Sequence, residues 1–518
     1  MCIRDRLITV SNRSGSYALP FQPGQTLLDA LRQAGLPVSA PCGGRGTCGK
    51  CTVYLSTPDG ERAVLACQTA AEDGMALRLL EEGPLAVELE GVEHPLPCPP
   101  DPEAAGWGLA CDIGTTTVVC HLVELSTGRT AATLGEGNAQ RPFGGDVIAR
   151  IKASMEGQRP ALTAAIRGQL SRMVEALCQK AGVPLAEVHT MAVAANTTMC
   201  HLLAGLAPDS LGRAPFIPLS RFGERYSARE LELPFDGTVY IAPAVSGYVG
   251  GDITADLLWT QLDRAERPTL LIDVGTNGEM ALGDARRLLC CSTAAGPAFE
   301  GAQISCGMTA APGAISQVCW RDGGLSCSVV GGIPARGICG SGLIDAVAVM
   351  LDLGAIDETG RMLNVDEDEE DIPEQALPYL FLKDDEPAFR LAEAVYVTQA
   401  DVRKLQLGKG AIAAGVQVLL DAYGVPCGQV GGLLLAGGFG SYIRPESAAR
   451  IGLIPKELLP VTKAIGNAAA EGARAALVSR QARARLSRLQ DHMEYLELSG
   501  LAAFNTAYMD TMLFPEEG

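Results

Sequence analysis

Two residue patterns in this chain are suited to chemistry: one gathers thiols, the other pairs aspartates with glycines and hydroxyls. The thiols lie in Pro41-Cys42-Gly-Gly-Arg-Gly-Thr-Cys48-Gly-Lys-Cys51, with a fourth at Cys67. Their spacing, C-x5-C-x2-C-x15-C, is close to the plant-type [2Fe–2S] pattern of C-x4-C-x2-C plus a remote cysteine. Four thiolates must converge on two irons. Gly43, Gly44, Gly46 and Gly49 let the loop wrap tightly while its N–H groups bond the sulfides. Zinc is the competing reading. Zinc sites usually come as two separated CxxC pairs, whereas three of these cysteines share one ten-residue Gly-rich loop, which favours iron–sulfur.

The second pattern is Asp112-Ile-Gly-Thr-Thr116 and its echo Asp273-Val-Gly-Thr-Asn277, 161 residues later. Each follows an apolar run (Trp107 to Cys111; Leu270 to Ile272) and precedes a second run of β character (Thr117 to Leu125; Gly278 to Leu282). Each reads as strand, tight turn, strand. Such a turn brings backbone N–H groups and hydroxyls up to phosphate oxygens, and an Asp at the strand end can hold a hydrated Mg²⁺. A single Asp-x-Gly turn is common in hairpins. Two copies in the same strand context suggest two related lobes facing one nucleotide.

The elements that must position these residues are legible around them. Leu7 to Val10 and Ser16 to Phe21 read as a hairpin, and Thr26 caps a helix from Leu27 to a stop at Gly35. The stretch from Glu88 to Gly106 carries Pro95, Pro97, Pro99, Pro100 and Pro102, so it is expected to be a stiff, extended tether that lets a redox domain swing. Cys98 within it is expected to be an exposed thiol. After the first turn come Asn138-Ala-Gln140, Phe143-Gly-Gly-Asp146 and helices over 147–155 and 160–182. A buried strand, 190–195, then runs into Asn196-Thr197-Thr198 at a strand-to-helix switch, where α/β proteins commonly bind ligands. A short strand at 240–243 leads through Gly247-Tyr-Val-Gly-Gly-Asp252 to a helix over 253–262.

After the second turn come Ala295-Gly-Pro-Ala-Phe-Glu300-Gly301 and Ser305-Cys306-Gly307. Gly337-Ile-Cys-Gly340-Ser-Gly342 opens a helix over 343–353, whose free N–H groups can face an anion. A strand at 431–435 runs into Ala436-Gly437-Gly438-Phe-Gly-Ser441, and Ile465-Gly-Asn467 starts a helix of small residues. The acidic run 366–371 reads as a solvated loop. Cys290 and Cys291 lack ligand spacing. The tail from 481 is expected to hold a strand, 495–498, that extends the second lobe.

Composition narrows the class. The 518 residues suffice for roughly three domains. No apolar run reaches the ~18 residues a membrane span needs, and the net charge of −19 argues against nucleic acid or an anionic membrane as partner. Seventeen cysteines, with no apolar signal segment near Met1, point to a reducing cytoplasm where thiols are ligands or small buried hydrophobes. Residues 1–6 join the first strand abruptly and are assigned no role.

The order of phosphate turn (112–117), Gly-containing connecting helix (247–262), second phosphate turn (273–278), adenosine loop (436–441) and small-residue helix (466–477) resembles the actin, sugar kinase and Hsp70 (ASKHA) superfamily. Coupled to the cysteine loop, and with Gly-Ile-Cys-Gly-Ser-Gly and Ala-Gly-Gly-Phe-Gly, most of the chain resembles the reductive activators of corrinoid proteins. The resemblance implies an α/β fold: an N-terminal β-grasp [2Fe–2S] ferredoxin domain (7–90), a linker (91–106), a two-lobed actin-like (ribonuclease H-like) ATPase (107–480) and a terminal extension of the second lobe (481–518). Some activators carry an extra domain between ferredoxin and ATPase; here only the linker separates them.

Residue by residue, the resemblance makes Asp112 and Asp273 the aspartates that position Mg²⁺ and water, and Asp252 a further carboxylate near the nucleotide. It puts Gly114, Thr115, Thr116, Gly275, Thr276 and Asn277 on the phosphates, Gly340, Gly437 and Gly438 against adenosine, and the cluster on Cys42, Cys48, Cys51 and Cys67. The implied cofactors are the [2Fe–2S] cluster and ATP with Mg²⁺. The implied partners are a corrinoid protein and a low-potential electron donor, with a homodimer left open. The implied reaction is ATP-coupled one-electron reduction of Co(II) to Co(I), and the loop 296–307 with Ser305 is placed facing the cobalt. Two rivals stand beside it: a small-molecule kinase that uses its ferredoxin domain as a redox sensor, and a non-catalytic electron-transfer adaptor.

Overall fold

The computed structural model describes residues 6–12, 15–34, 36, 38, 40, 42–46, 49–57, 60–79, 95–437 and 443–516. The first sheet is built from β1 (Leu7–Asn12), β2 (Gly15–Pro20), β3 (Thr52–Thr57), β4 (Gly60–Leu65) and β5 (Ala76–Leu79) in the order β2-β1-β5-β3-β4. Helix α1 (Leu27–Gln33) lies against it. A capping box starts that helix: the Asp29 N–H donates to the Thr26 hydroxyl, and the Thr26 N–H donates to the Asp29 carboxylate. Leu27, Leu28 and Leu31 are buried with Ile8, Val10 and Val53 in one small core. The cysteine loop leaves this helix and returns in β3.

The body holds two six-stranded sheets with matching connectivity. In the first lobe, β6 (Trp107–Ile113), β7 (Thr117–Glu124) and β8 (Thr130–Gly137) form an antiparallel meander. Helices α2 (Val147–Ala153) and α3 (Arg159–Ala181) follow, then β9 (Val188–Ala195), α4 (Thr197–Ala204), β10 (Arg225–Ser227), β11 (Thr238–Ile241) and α5 (Gly251–Thr260). Strands β9 and β11 add in parallel beside β6.

The second lobe repeats the plan. Strands β12 (Thr269–Val274), β13 (Gly278–Gly283) and β14 (Leu288–Thr293) form the meander. An insertion carries β15 (Ala314–Arg321), β16 (Gly324–Val329), β17 (Gly337–Ile338), α6 (Gly340–Asp352), β18 (Leu380–Lys383), β19 (Glu386–Ala392) and β20 (Val395–Thr398). After α7 (Gln399–Tyr423), β21 (Gly432–Ala436), α8 (Pro445–Arg450) and β22 (Thr462–Gly466), the strands β21 and β22 extend the sheet in parallel from β12. Helices α9 (Ala468–Val478), α10 (Arg480–His492) and α11 (Ala502–Thr511), with β23 (Met493–Tyr495) between the last two, complete the chain. Three antiparallel strands flanked by two parallel ones, occurring twice, is the ribonuclease H-like duplication expected from the two Asp-x-Gly-Thr turns. Each turn joins the first two strands of its meander, so both sit at the same end of equivalent sheets.

The lobes meet through α5 and α9. Ile253, Leu257 and Leu258 share one buried core with Ala469, Ala473 and Ala476, and with Ala110 of the first sheet and Leu271 of the second. The small residues of α9 allow the approach: a Cβ on Gly472 would lie 2.2 Å from the carbonyl oxygen of Ala255.

Three expectations change. The helix expected over 147–155 ends at Ala153 and opens into a wider turn, Ser154–Gln158, where Gly157 takes φ 91°. The tail strand is Met493–Tyr495 rather than 495–498, and it pairs in parallel with β14 at the edge of the second sheet. The Pro-rich segment from residue 95 is no free tether. Cys98 is 3% exposed and packs with Leu96 and Ala104 into the interlobe core. The Asp101 N–H donates to the Val478 carbonyl at 2.8 Å, and the Asp101 carboxylate accepts from the Arg480 N–H at the start of α10. The segment bends at 97–98 and turns at 102–103, where the Ala104 N–H donates to the Asp101 carbonyl, and its apolar side chains gain more by burial than by exposure. The helix stop expected at Gly35 and the linker residues 91–94 lie outside the described residues. Among the described residues no helix is long and apolar enough to cross a membrane.

Gly472→Ala tests the interlobe packing. In an open helix this change stabilises by about 1 kcal/mol; here the new methyl meets a backbone carbonyl that cannot yield, and a loss of about 1–3 kcal/mol in urea unfolding is expected.

Candidate functional site

The two Asp-x-Gly-Thr turns converge on one carboxylate that they do not themselves supply. Thr276 Oγ1 donates to Glu300 Oε2 at 2.7 Å, Thr116 Oγ1 donates to the same oxygen, and the two hydroxyls lie 3.4 Å apart. Within the turns, the Gly114 N–H closes on the Thr117 carbonyl and the Gly275 N–H on the Asn277 carbonyl, both at 2.9 Å. Glu300 ends a single helical turn, Pro297–Glu300, and is buried. Burial pushes its carboxyl up, while the Thr116 and Thr276 hydroxyls and the Arg150 charge pull it down.

Around this bridge stand the other predicted groups. Asp112 at the end of β6 accepts from Asn467 Nδ2 at 2.8 Å, at the cap of α9. Asp252 occupies the first turn of α5, and Asp273 ends β12. All three keep part of their surface open to the cleft and are walled by protein elsewhere. Burial drives each upward, reinforced by the neighbouring carboxylates: Asp112 to about 8, Asp252 to about 7 and Asp273 to about 6. Thr115 accepts from Asn196 Nδ2 at 3.1 Å, which ties the strand-to-helix switch after β9 to the first turn. Asn277 Nδ2 donates to Glu279 at 3.2 Å.

Gly437 lies against Asp273. A Cβ there would come 2.5 Å from Asp273 Oδ1, and its φ of 100° belongs to glycine. Gly340 packs elsewhere, on the Phe299 carbonyl at the start of α6, behind the turn that carries Glu300. Gly438 and the rest of the expected adenosine loop to Ser441 lie outside the described residues.

Sequence reasoning missed four contributors. Glu300 was noted only as part of a motif. Asp256, one helical turn after Asp252, is fully buried with neither carboxyl oxygen hydrogen-bonded, and burial together with the charges of Asp273, Asp252 and Asp112 pushes it well up. Glu279 on the buried β13 is likewise pushed well up by burial. Arg150 is buried in α2, where Nε bonds the Gly144 carbonyl at 3.1 Å and Nη2 bonds that of Thr115. The available signal was the same for all four: a charged residue at an apolar position of a helix or strand.

In the cysteine loop, Gly43, Gly44, Gly46 and Gly49 all take left-handed backbone. Cys42, Cys51 and Cys67 are buried, and the sulfurs of Cys51 and Cys67 lie 3.3 Å apart. Gln68 Nε2 approaches the Cys67 sulfur at 3.8 Å, and a Cβ on Gly46 would strike that amide at 2.6 Å. Cys48 lies outside the described residues. Among the described residues no three Cys, His, Asp or Glu side chains enclose a metal ion by themselves. Clustered thiols in a glycine cradle suit a two-iron cluster, whose ligands are spread over two metals.

Loop and cleft share one chamber. A cavity of about 790 Å³ is lined by Arg32 and Cys42 of the cluster loop region, by Phe143 and Lys152 of the first lobe, and by Thr276 and Asn277 of the second phosphate turn.

With this geometry in view, comparison with known proteins is decisive. Residues 11–72 match the 2Fe-2S iron-sulfur cluster binding domain, residues 107–265 the RACo middle region, and residues 267–518 the C-terminal ASKHA domain of RACo. The chain is 30% identical to the corrinoid activation enzyme RamQ of Eubacterium limosum over 573 residues, covering 94% of this chain and 95% of RamQ. The chain belongs to the RACo family. The [Co(II) methylated amine-specific corrinoid protein] reductase of Methanosarcina barkeri is 26% identical, over 80% of this chain and 78% of its own. A solved structure, the reductive activator for corrinoid, iron-sulfur protein, superposes with a TM-score of 0.74 at 30% identity and covers 99% of this chain and 98% of that one. RACo membership accounts for both halves of the site: an iron–sulfur domain of the 2Fe-2S type and an ASKHA nucleotide fold.

The raised carboxyls set a pH dependence. Above about pH 4 the unfolded chain ionises Asp112 while the fold keeps it protonated up to about pH 8, so the fold binds more protons and loses stability as pH rises through that window. The urea midpoint of nucleotide-free protein is expected to fall between pH 5 and pH 8. Asp112→Asn should flatten that decline, by up to about 1.4 kcal/mol per pH unit for one carboxyl. Identical pH profiles for the two proteins would show that Asp112 titrates alike in both states.

Proposed function

We propose that this protein is an ATP-dependent reductive activator that returns an inactive corrinoid protein from Co(II) to Co(I) by one-electron transfer. The observation that carries this reading is the shared chamber: Cys42 and the phosphate-turn residues Thr276 and Asn277 line one cavity. Electron chemistry and phosphate chemistry therefore occur within one enclosure rather than at opposite ends of the chain. The relatives named for corrinoid activation and Co(II) corrinoid reduction support the choice of acceptor.

Cys42, Cys48, Cys51 and Cys67 would hold a [2Fe–2S] cluster, which would supply one electron at a potential near −400 mV for reduction of Co(II) to Co(I), a low-potential donor replacing that electron. Co(I) is harder to reach than that potential, and each 100 mV uphill costs about 2.3 kcal/mol. Nucleotide offsets such a gap by binding two conformations of the protein with different affinity. The residues for this are in place. Thr116 and Thr276, braced on Glu300, hold the two turns at a fixed separation. With the Gly114 and Gly275 N–H groups closing the turns, the N–H groups of Thr115, Thr116 and Asn277 would meet the phosphates, and Gly437 lets the chain after β21 lie close beside Asp273.

Asp112 and Asp273 position Mg²⁺ and the attacking water. Carboxyls pushed this far up ionise readily once a divalent cation stands among them. Phosphate oxygens and water would complete the ligand set of a Mg²⁺ held beside these carboxyls. Asn467 fixes the orientation of Asp112. Asp252 adds charge near the metal. The protein works in a reducing cytoplasm, which keeps its seventeen cysteines as thiols.

Asp273→Asn should retain the cluster's absorption and EPR signal but lose most of the nucleotide-stimulated reduction of a Co(II) corrinoid protein, by about 100-fold or more, the scale of removing one preorganised electrostatic group. Equal cobalt reduction with and without ATP in the unsubstituted protein would refute the coupling.

A further inference from the structure

Two side chains of the cluster domain reach across to the body, and both landing points lead within a few residues to a phosphate turn. Arg32, at the end of α1, donates from Nε to the Pro142 carbonyl at 2.7 Å and bonds the same oxygen through Nη2; its guanidinium lies 5.6 Å from the centre of the Phe143 ring. The cluster loop follows it down: a Cβ on Gly43 would stand 3.9 Å from the Phe143 carbonyl. Lys50, beside the ligand Cys51, donates from Nζ to the Ile304 carbonyl at 3.0 Å and to that of Gly307 at 3.3 Å.

Neither landing point is a passive surface. The segment bearing Pro142 and Phe143 is bound to the first turn on one side, where the Asn138 N–H donates to the Thr116 carbonyl at 2.7 Å and Asn138 Nδ2 to that of Gly114 at 2.8 Å. On its other side Arg150 holds the carbonyls of Gly144 and Thr115. The segment bearing Ile304 and Gly307 begins at Glu300, the carboxylate shared by Thr116 and Thr276. A shift of either turn is therefore passed to the seat of the cluster domain through a few hydrogen bonds. Burial lowers the pKa of the Arg32 guanidinium, while Asp29 and the nearby Cys67, Cys42 and Cys51 raise it, so the guanidinium that anchors the domain also lies near the thiols.

We propose that Arg32 and Lys50 are positioning residues that couple the seating of the cluster domain to nucleotide in the interlobe cleft, with bound nucleotide weakening the seat. This rests on the reading of the cleft as the ATP site. The direction follows from charge: phosphates at Thr276 and Asn277 add negative charge to a chamber already lined by Asp146, Glu156 and Glu497 beside the cysteine loop, and like charges at close range repel. Release turns the Cys42 edge of the cluster loop out of the chamber, where a partner protein can approach it. Coupling of this kind is reciprocal, so a protein without the seat binds nucleotide more tightly.

The test uses the full-length protein with its cluster and the pair R32Q/K50Q. Calorimetry with Mg²⁺ and a non-hydrolysable ATP analogue measures affinity, small-angle scattering measures how closely the cluster domain sits, and the EPR signal verifies the cluster. Expected are a more extended R32Q/K50Q protein with an unchanged EPR signal, analogue binding tighter by about fivefold or more, and expansion of the unsubstituted protein on adding the analogue. Phe143→Ala, which removes the ring under Arg32 from the body side and leaves the sequence of the cysteine loop unchanged, should shift both measurements the same way. An extended variant with unchanged analogue affinity overturns the coupling, as does a protein that keeps its dimensions with analogue bound. If the unsubstituted protein binds no analogue at all, the ATP-site reading itself falls.

Discussion

Glu300 gives two hydroxyls from opposite lobes a common acceptor. Each lobe has its own sheet and core, and nothing in either sheet alone sets how far apart the two phosphate turns stand. That distance is fixed where Thr116 and Thr276 meet the same carboxylate oxygen. Hydrogen bonds to a buried charge contribute about 1.5–3 kcal/mol each, enough to hold a cleft in one width but small enough for ligand binding to compete. The carboxylate also lies between the turns and the loop that receives Lys50, so the separation of the turns and the position of that loop share one anchor.

Behind the bridge, packing leaves few alternatives. Helices α5 and α9 touch at backbone distance because Gly472 has no side chain, and Gly437 permits the same intimacy between the chain after β21 and Asp273. Interiors this dense transmit displacement instead of absorbing it. The carboxyls of Asp112, Asp252, Asp256 and Asp273 are set into that rigid frame, and their raised pKa values are the electrostatic cost of the arrangement until a cation joins them.

Much of this was legible before any coordinates. The cysteine spacing, the paired turns and the long helices carry their meaning locally, because a cluster loop needs contiguous glycines and a helix repeats its apolar face every three to four residues. What stayed hidden depends on distance in space. Glu300 and Asp256 matter through partners tens to hundreds of residues away, and neither has a local pattern that names its neighbour. The prolines of 95–102 say nothing of the surface beneath them, so the bends of the segment, the burial of Cys98 and the anchoring of Asp101 were missed. The tail strand was displaced by two residues because so short a run offers too little alternation to fix its bounds.

That tail strand has a further consequence. Strand β14 would otherwise end the second sheet with a row of unpaired N–H and carbonyl groups, the template on which one protein recruits another. Strand β23 occupies it in parallel, with Arg287 and Glu494 paired across the junction at 2.9 Å. This three-residue strand thus covers the β14 edge and leaves only a very short edge of its own, beside a cavity wall that includes Tyr495 and Leu498. The edge of the second sheet and one wall of the chamber are shaped by the same few residues.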